Sequence, residues 1–293
     1  MSGMRVVVCS LAASLMSCVQ AFGLERDPAR CSAGRPFSAG IEVPIGGNYS
    51  VEAARFTPSQ NQAYLSLCPA SGDVTMCDLY SSPFLGGELT AFSKLTGVSD
   101  PMKYDAYPTI TSDGDYLLFG SRRMSPLQVW VAKANNGSFD LPTITALGAL
   151  PGMQHSNEPY LLRDGRTLYF SGQTPSSQAD DIYRTSGDPP GFGGAAQPVP
   201  GIASDGGDLA PVVSDDEREM FFASDRGAAR MALDIYVATR GSPDVPFDEP
   251  QPIPELSSDG IDWPLWISPD GCDLYYINKT TSPLRATMYV THR

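Results

Sequence analysis

A short segment recurs along this chain, and the recurrence limits its possible folds more than any other feature. The copies "PTITSDGDYLLFGSR" (108–122), "PYLLRDGRTLYFSGQ" (159–173), "PVVSDDEREMFFASD" (211–225) and "PLWISPDGCDLYYIN" (264–278) follow a weaker first copy, "ARFTPSQNQAYLSLC" (54–68). They begin 54, 51, 52 and 53 residues apart. A regular period of this length is typical of a chain that repeats one supersecondary unit.

Each copy predicts one four-stranded antiparallel sheet. Two short apolar strands flank a polar turn, a third strand such as "LDIYVATR" (233–240) follows, and a stretch such as "EPQPIPEL" (249–256) supplies a fourth. The 28 Gly and 26 Pro are spread between these runs, which favours many turns. One such sheet cannot bury both of its faces, whereas sheets stacked around an axis can, so the repeat predicts a β-propeller.

The two ends of the chain are predicted to close the ring. The last copy stops at Arg293 without a fourth strand, and "RPFSAGIEVPIGG" (35–47) matches the stretch that carries the fourth strand elsewhere. Residues 39–45 therefore supply the outer strand of the last blade. The prediction is an all-β, five-bladed propeller in a single domain, residues 36–293, with blades starting near 51, 105, 157, 208 and 262.

The repeat resembles the TolB-type, WD40-like β-propeller repeat of bacterial envelope proteins. The residues that carry the resemblance are "SPDG", "LYF", "FASDRG" and "DIYVATR", and it covers nearly all of the chain past residue 35. It implies a periplasmic or outer-membrane-associated propeller used for protein interaction. Such a fold hosts many functions, so the resemblance does not specify one.

The N-terminus is predicted to direct export. Residues 1–21 have the layout of a signal peptide, and 22–35 form a linker. One cleavage site follows Ala21; alternatively, "LMSC" (15–18) is similar to a lipobox, in which Cys18 is lipidated. Both alternatives predict export: the first gives a periplasmic protein and the second an outer-membrane-anchored lipoprotein. A membrane contact is expected only through that lipid anchor.

Four cysteines lie beyond either cleavage site and allow three disulfide pairings. Cys68 and Cys77 flank "PASGDVTM", which has the character of a hairpin loop. This favours Cys68 with Cys77 and leaves Cys31 with Cys272. The second bridge would join the two ends of the chain.

The net charge of the chain limits the kinds of partner that it can bind. A net charge of −13 argues against nucleic-acid binding, which requires clustered cations. We expect a monomer with a protein partner in the envelope. Arg122, Arg123 and Arg226 begin loops on one face, where they either pair with an acid of their own blade or contact that partner.

An acid precedes the first strand of every copy, one to three residues before its Pro or Ala54. These acids are predicted to gather at one mouth of the central channel; they are Glu52, Asp105, Glu158, Asp208 and Asp262. One interpretation is a repeated structural latch, and the other is a site for a calcium ion or a basic partner. No other cofactor is expected. Trp263 and Trp266 bracket this position, and alternation directs one of them to the mouth.

These features favour a non-enzymatic binding scaffold. The chain has only two His and lacks the local motifs of nucleophilic or metal catalysis. The alternative is a carbohydrate-active enzyme of the glycoside hydrolase type, in which two acids at the channel mouth act as acid and base.

Overall fold

The structure is a computed structural model that describes residues 31–293, apart from positions 32, 48, 70–75, 90, 101, 124, 136–137, 140–152, 228–231 and 282–283. The predicted signal peptide, Cys18 and most of the linker lie outside the described residues. No helix in the described part of the chain has the length and apolar character needed for a membrane span.

Five antiparallel sheets form the blades of a propeller, as predicted. After β1 (Ile41–Glu42), blade 1 contains β2 (Tyr49–Phe56), β3 (Gln62–Pro69), β4 (Asp78–Leu85), β5 (Glu88–Leu89) and β6 (Ser93–Lys94). Blade 2 contains β7 (Asp105–Ile110), β8 (Tyr116–Ser121), β9 (Gln128–Asn135) and β10 (Ser138–Phe139). Blade 3 contains β11 (His155–Leu161), β12 (Thr167–Gln173), β13 (Asp181–Ser186) and β14 (Gln197–Pro198).

Blades 4 and 5 complete the ring. Blade 4 contains β15 (Asp208–Val213), β16 (Glu219–Ser224), β17 (Asp234–Thr239) and β18 (Gln251–Pro252), followed by a short 3-10 helix (Pro254–Leu256). Blade 5 contains β19 (Ile261–Ile267), β20 (Asp273–Thr281) and β21 (Leu284–His292). The first strands of successive blades contact one another in the closed order β2, β7, β11, β15, β19, so they surround the central channel.

The outer strands are shorter than the sequence indicates. The fourth strands span two residues each, and β18 covers only Gln251–Pro252 of the stretch "EPQPIPEL" (249–256). In blades 3 and 4 these strands contain Pro198 and Pro252, and Pro cannot donate to a sheet ladder, which limits pairing. In blade 2 the expected fourth strand "LPTITAL" lies outside the described residues, and β10 pairs with the end of β9 instead.

The core lies between blades, where the second strands face their neighbours. Phe119, Phe170 and Phe222 occupy the same position of β8, β12 and β16, and all three are fully buried. Because alternate residues of a strand point to opposite faces, a strand buried on both sides is apolar at its centre on both faces, as "LLF" of β8 and "MFF" of β16 are.

The turn between the first and second strands has the same construction in blades 2, 3 and 5. Asp113, Asp164 and Asp270 each accept a hydrogen bond from the backbone N–H two residues later. The following Gly has positive φ, 79° at Gly114 and 72° at Gly271. The repeated Asp-Gly pair therefore serves the turn.

The ring closes through strand β1, as predicted. Ile41 and Glu42 pair with Val290 and Tyr289 of β21. The bridge from Cys31 to Cys272 (S–S 2.07 Å) lies beside this closure, and the second bridge joins Cys68 to Cys77. Two disulfides fit an exported protein.

Candidate functional site

Three of the five predicted acids occupy one equivalent position at the start of a first strand. Asp105, Asp208 and Asp262 lie opposite a residue of the second strand of the same blade, which is Ser121, Ser224 and Asn278, respectively. All three are fully buried. We refer to them as the latch acids.

Each latch acid binds the loop that precedes it. Asp208 accepts hydrogen bonds from the Ser204 N–H (2.9 Å) and the Ser224 hydroxyl (2.7 Å), and it forms an ion pair with Arg226 (2.7 Å). The carboxylate thus ties together the start of β15, the end of β16 and the preceding loop. A buried charge is tolerated when it is paired and hydrogen-bonded in this way.

The latches of blades 2 and 5 repeat this arrangement with different partners. Asp105 accepts from the Asp100 N–H (2.7 Å) and pairs with Arg123 (3.0 Å). Asp262 accepts from the Ser258 N–H (2.7 Å) and the Asn278 amide (2.9 Å), with no cation among the described residues. Burial raises the pKa of both carboxyls, that of Asp262 to about 6.

The same residues connect neighbouring blades through their backbones. The N–H of Asp105 donates to the Cys77 carbonyl (3.0 Å) and that of Asp208 to the Asp180 carbonyl (2.8 Å). Asp262 donates to the Leu233 carbonyl in the same manner (2.7 Å). The latch acids therefore hold each first strand against the preceding blade.

Glu52 and Glu158 occupy a different position. In blades 1 and 3 the latch position holds Val51 and Ser156, and the glutamates follow in the β-bulge that interrupts each first strand. A bulge re-aims the side chains of its strand. The five acids accordingly form two groups instead of one ring.

Glu52 forms a buried ion pair with Lys279 of blade 5. Lys279 Nζ lies 2.8 Å from both carboxylate oxygens, and the Tyr107 hydroxyl donates to Oε1 (3.3 Å). Trp263 packs beside this pair, since its ring lies 5.6 Å from that of Tyr107 and 5.9 Å from Lys279 Nζ. These side chains come from blades 1, 2 and 5, and they contact one another where those blades meet.

Glu158 bridges blades 3 and 4 without an ion pair to any described residue. It accepts hydrogen bonds from the Ser171 hydroxyl (2.6 Å) and the Ala210 N–H (2.8 Å). Burial raises the pKa of this carboxyl to about 7, and the hydrogen bonds oppose the rise. Near neutral pH, Glu158 is therefore distributed between its protonated and ionised forms.

The two tryptophans lie at different depths of the channel. Trp263 is half-buried beside the Glu52–Lys279 pair. Trp266 is buried, with its ring 5.3 Å from that of Phe56 and 5.8 Å from that of Tyr275. The bulge between Pro264 and Trp266 disrupts the simple alternation that the sequence predicts.

A large cavity opens on the face where the first strands begin, which we term the upper face. It has a volume of about 580 Å³ and is lined by Arg122, Ser125, Pro126, Leu127, His155 and Asp180. His155 Nε2 lies 2.5 Å from Asp180 Oδ1, and this hydrogen bond raises the pKa of His155. Exposed Arg122 stacks over the Tyr104 ring at 5.5 Å. We call this cavity the upper cleft.

The three arginines singled out in the sequence were predicted either to pair with an acid of their own blade or to contact a partner, and both arrangements occur. Arg123 and Arg226 pair with latch acids of their own blades, whereas Arg122 lines the upper cleft. The latch acids do not face an open mouth, and Glu52 has Lys279 as its counter-ion. Among the described residues, no three His, Cys, Asp or Glu side chains are grouped to hold a metal ion.

These features define a closed, five-bladed propeller with buried acids along its first strands and an open upper cleft. Comparison with family models and with curated proteins gives no match. The fold is similar to that of TolB from Acinetobacter baumannii (TM-score 0.53, 12% identity) over 85% of this chain and 56% of that one. The chain therefore spans little more than half the length of that protein.

Two further structures share the fold. A putative TolB from Agrobacterium tumefaciens aligns with a TM-score of 0.52 and 14% identity over 86% of this chain and 78% of that one. Endo-arabinase from Bacteroides thetaiotaomicron aligns with a TM-score of 0.57 and 15% identity over 87% of this chain and 97% of that one. The resemblance to TolB-type propellers is thus confirmed for the fold, which enzymes share.

Proposed function

We propose that this protein is an exported, non-catalytic propeller that binds a protein partner in the bacterial cell envelope. The observation that carries the proposal is the state of the five channel acids. Each is at most 4% exposed and is bonded to other protein groups. Carboxylates that cleave a glycosidic bond must contact the sugar and a water molecule, and enclosed, bonded carboxylates support binding over catalysis.

The upper cleft is the surface we assign to the partner. Its volume lies within the range typical of ligand sites. Arg122 offers an exposed cation there, while Pro126 and Leu127 offer apolar surface. An arginine beside apolar groups is a common centre of protein interfaces.

Site-specific photo-crosslinking in intact cells tests this assignment. A photoreactive residue at the exposed Ser125 position should give a discrete adduct that Arg122→Ala abolishes. The same probe at exposed Glu255, in the short helix after β18, serves as the matched control. Equal adducts at both positions, or none at Ser125, would refute the assignment.

The second candidate is a carbohydrate-active enzyme, which Glu158 favours. A carboxyl with a pKa of about 7 is suited to act as a general acid, and the fold is shared with an endo-arabinase. The test is to incubate the purified protein with a polysaccharide panel that includes arabinan. Product release that Glu158→Gln abolishes would establish this candidate and overturn the first.

A further inference from the structure

A second cavity lies at the opposite mouth of the channel, among the turns between first and second strands. The second residue of every turn lines it, so the five blades contribute Pro58, Ser112, Arg163, Asp215 and Pro269. Behind these residues the wall contains Arg55, Tyr160 and Trp266. We name it the turn-face cavity.

Arg55 is a buried cation at this cavity. It is 3% exposed, and the ion pairs formed among the described residues do not include it. Its Nη1 donates to the Ala54 carbonyl (3.1 Å) and to the Leu265 carbonyl, and its guanidinium lies 4.9 Å from the Tyr160 ring centre. Burial lowers the pKa of Arg55 to about 10, so the side chain is charged at neutral pH.

The Nε–H of Arg55 has no hydrogen-bond partner although it is buried. Buried polar groups in native proteins are nearly always paired, and a buried arginine usually pairs with a carboxylate. The other arginines buried in this protein follow that rule, since Arg240 pairs with Glu217 and Arg293 with Glu219. Arg55 departs from it at the position where it lines a cavity.

We propose that the turn-face cavity binds a carboxylate group of a ligand, with Arg55 as its buried counter-ion. Exposed Arg163 adds a second cation at the rim, against the single acid Asp215. The guanidinium fork matches the geometry of a carboxylate, which an ammonium group does not.

The size of the cavity defines how much of the ligand enters. Its volume is about 50 Å³. One water molecule needs about 10–15 Å³ of such space, so the cavity accepts a small group such as a carboxylate. The rest of the ligand extends past the turns into solvent. Both a peptide carboxylate and an acidic sugar meet this description, and this site is separate from the upper cleft.

Thermal unfolding with added anions tests the proposal. Acetate at ten times its dissociation constant should raise the melting temperature of the wild type by roughly 3 °C more than chloride does at equal ionic strength. Arg55→Lys, which keeps the charge but loses the fork, should lose most of this shift. Arg166→Gln removes an exposed arginine outside the cavity and should respond as the wild type does.

Two further pairs of probes distinguish the source of the carboxylate. N-acetylglycylglycine is compared with its C-terminal amide, and glucuronate with glucose. The charged member of the better-fitting pair should stabilise the protein more than acetate, while the neutral member should have no effect. If Arg55→Lys does not fold, acetate must still change the tryptophan emission of the wild type, and Trp266→Phe must abolish that change. Equal effects of acetate and chloride, or an equal response of Arg55→Lys, would overturn the proposal.

Discussion

The acids of blades 2, 4 and 5 and those of blades 1 and 3 have similar positions in the sequence but different surroundings in the structure. Asp105, Asp208 and Asp262 tie the start of a first strand to its own blade. Glu52 and Glu158 lie in the bulges and bridge neighbouring blades. The number of residues between an acid and the following proline does not define where the acid points. A bulge between them shifts the strand register, which changes the direction of the side chain.

The two groups also differ in how their charge is compensated. Two latch acids have an arginine of their own blade, and the third has only neutral donors. In the channel, Glu52 has a lysine from another blade and Glu158 has no cation within ion-pair distance among the described residues. Charge compensation therefore varies within each group. Variants that remove one partner of these pairs should accordingly differ in stability.

The largest effect is expected where a charge would be left alone in the channel. Lys279→Met should lower the free energy of unfolding by about 4 kcal/mol, because Glu52 then remains buried without its cation. The double variant Lys279→Met with Glu52→Gln should recover most of the loss. Urea unfolding near neutral pH measures both, and a double variant no more stable than the single one would contradict the assignment of this pair.

A smaller difference is expected between two latch acids. Asp105→Asn should cost about 2 kcal/mol, because it removes the partner of a largely buried Arg123. Asp262→Asn should cost only about 1 kcal/mol, because it alters hydrogen bonds to neutral groups. The same unfolding assay compares them. Equal losses of stability in the two variants would show that pairing with Arg123 does not make Asp105 more important for stability than Asp262.

The titration of Glu158 should contribute to the pH dependence of the free energy of unfolding. Its folded pKa of about 7 lies above the ordinary value of 4.5, so the native state binds a proton that the unfolded chain does not. Stability should therefore rise as the pH falls, by about 1 kcal/mol between pH 8 and pH 6 from this group. Glu158→Gln should remove that share of the slope. If the free energy of unfolding of the variant has the same pH dependence as that of the wild type, a group other than Glu158 titrates in this range.

Most of the fold was accessible from the sequence because it follows from local patterns that repeat. Five copies with a constant period predicted five blades, and the missing fourth strand of the last copy predicted closure by residues near Ile41. Both disulfide pairs, Cys68–Cys77 and Cys31–Cys272, are present as expected.

The site was less accessible because it depends on contacts between blades. The bulges that separate Glu52 and Glu158 from the latch acids have no local sequence signal beyond the irregular spacing between acid and proline. That spacing, one to three residues, was the available clue. Arg55 gave no signal in the sequence. Whether a buried arginine has a carboxylate partner depends on side chains from the other four blades, which the local pattern does not reveal.

The most direct test of the division between latch and channel compares Asp208→Asn with Glu158→Gln by denaturant unfolding at about pH 8. The latch variant should lose about 3 kcal/mol, because Arg226 is left without its carboxylate. The channel variant should lose at most about 1 kcal/mol, since a glutamine oxygen still accepts from Ser171 and Ala210 while a costly buried charge is removed. A Glu158→Gln protein that loses as much stability as Asp208→Asn would contradict the division.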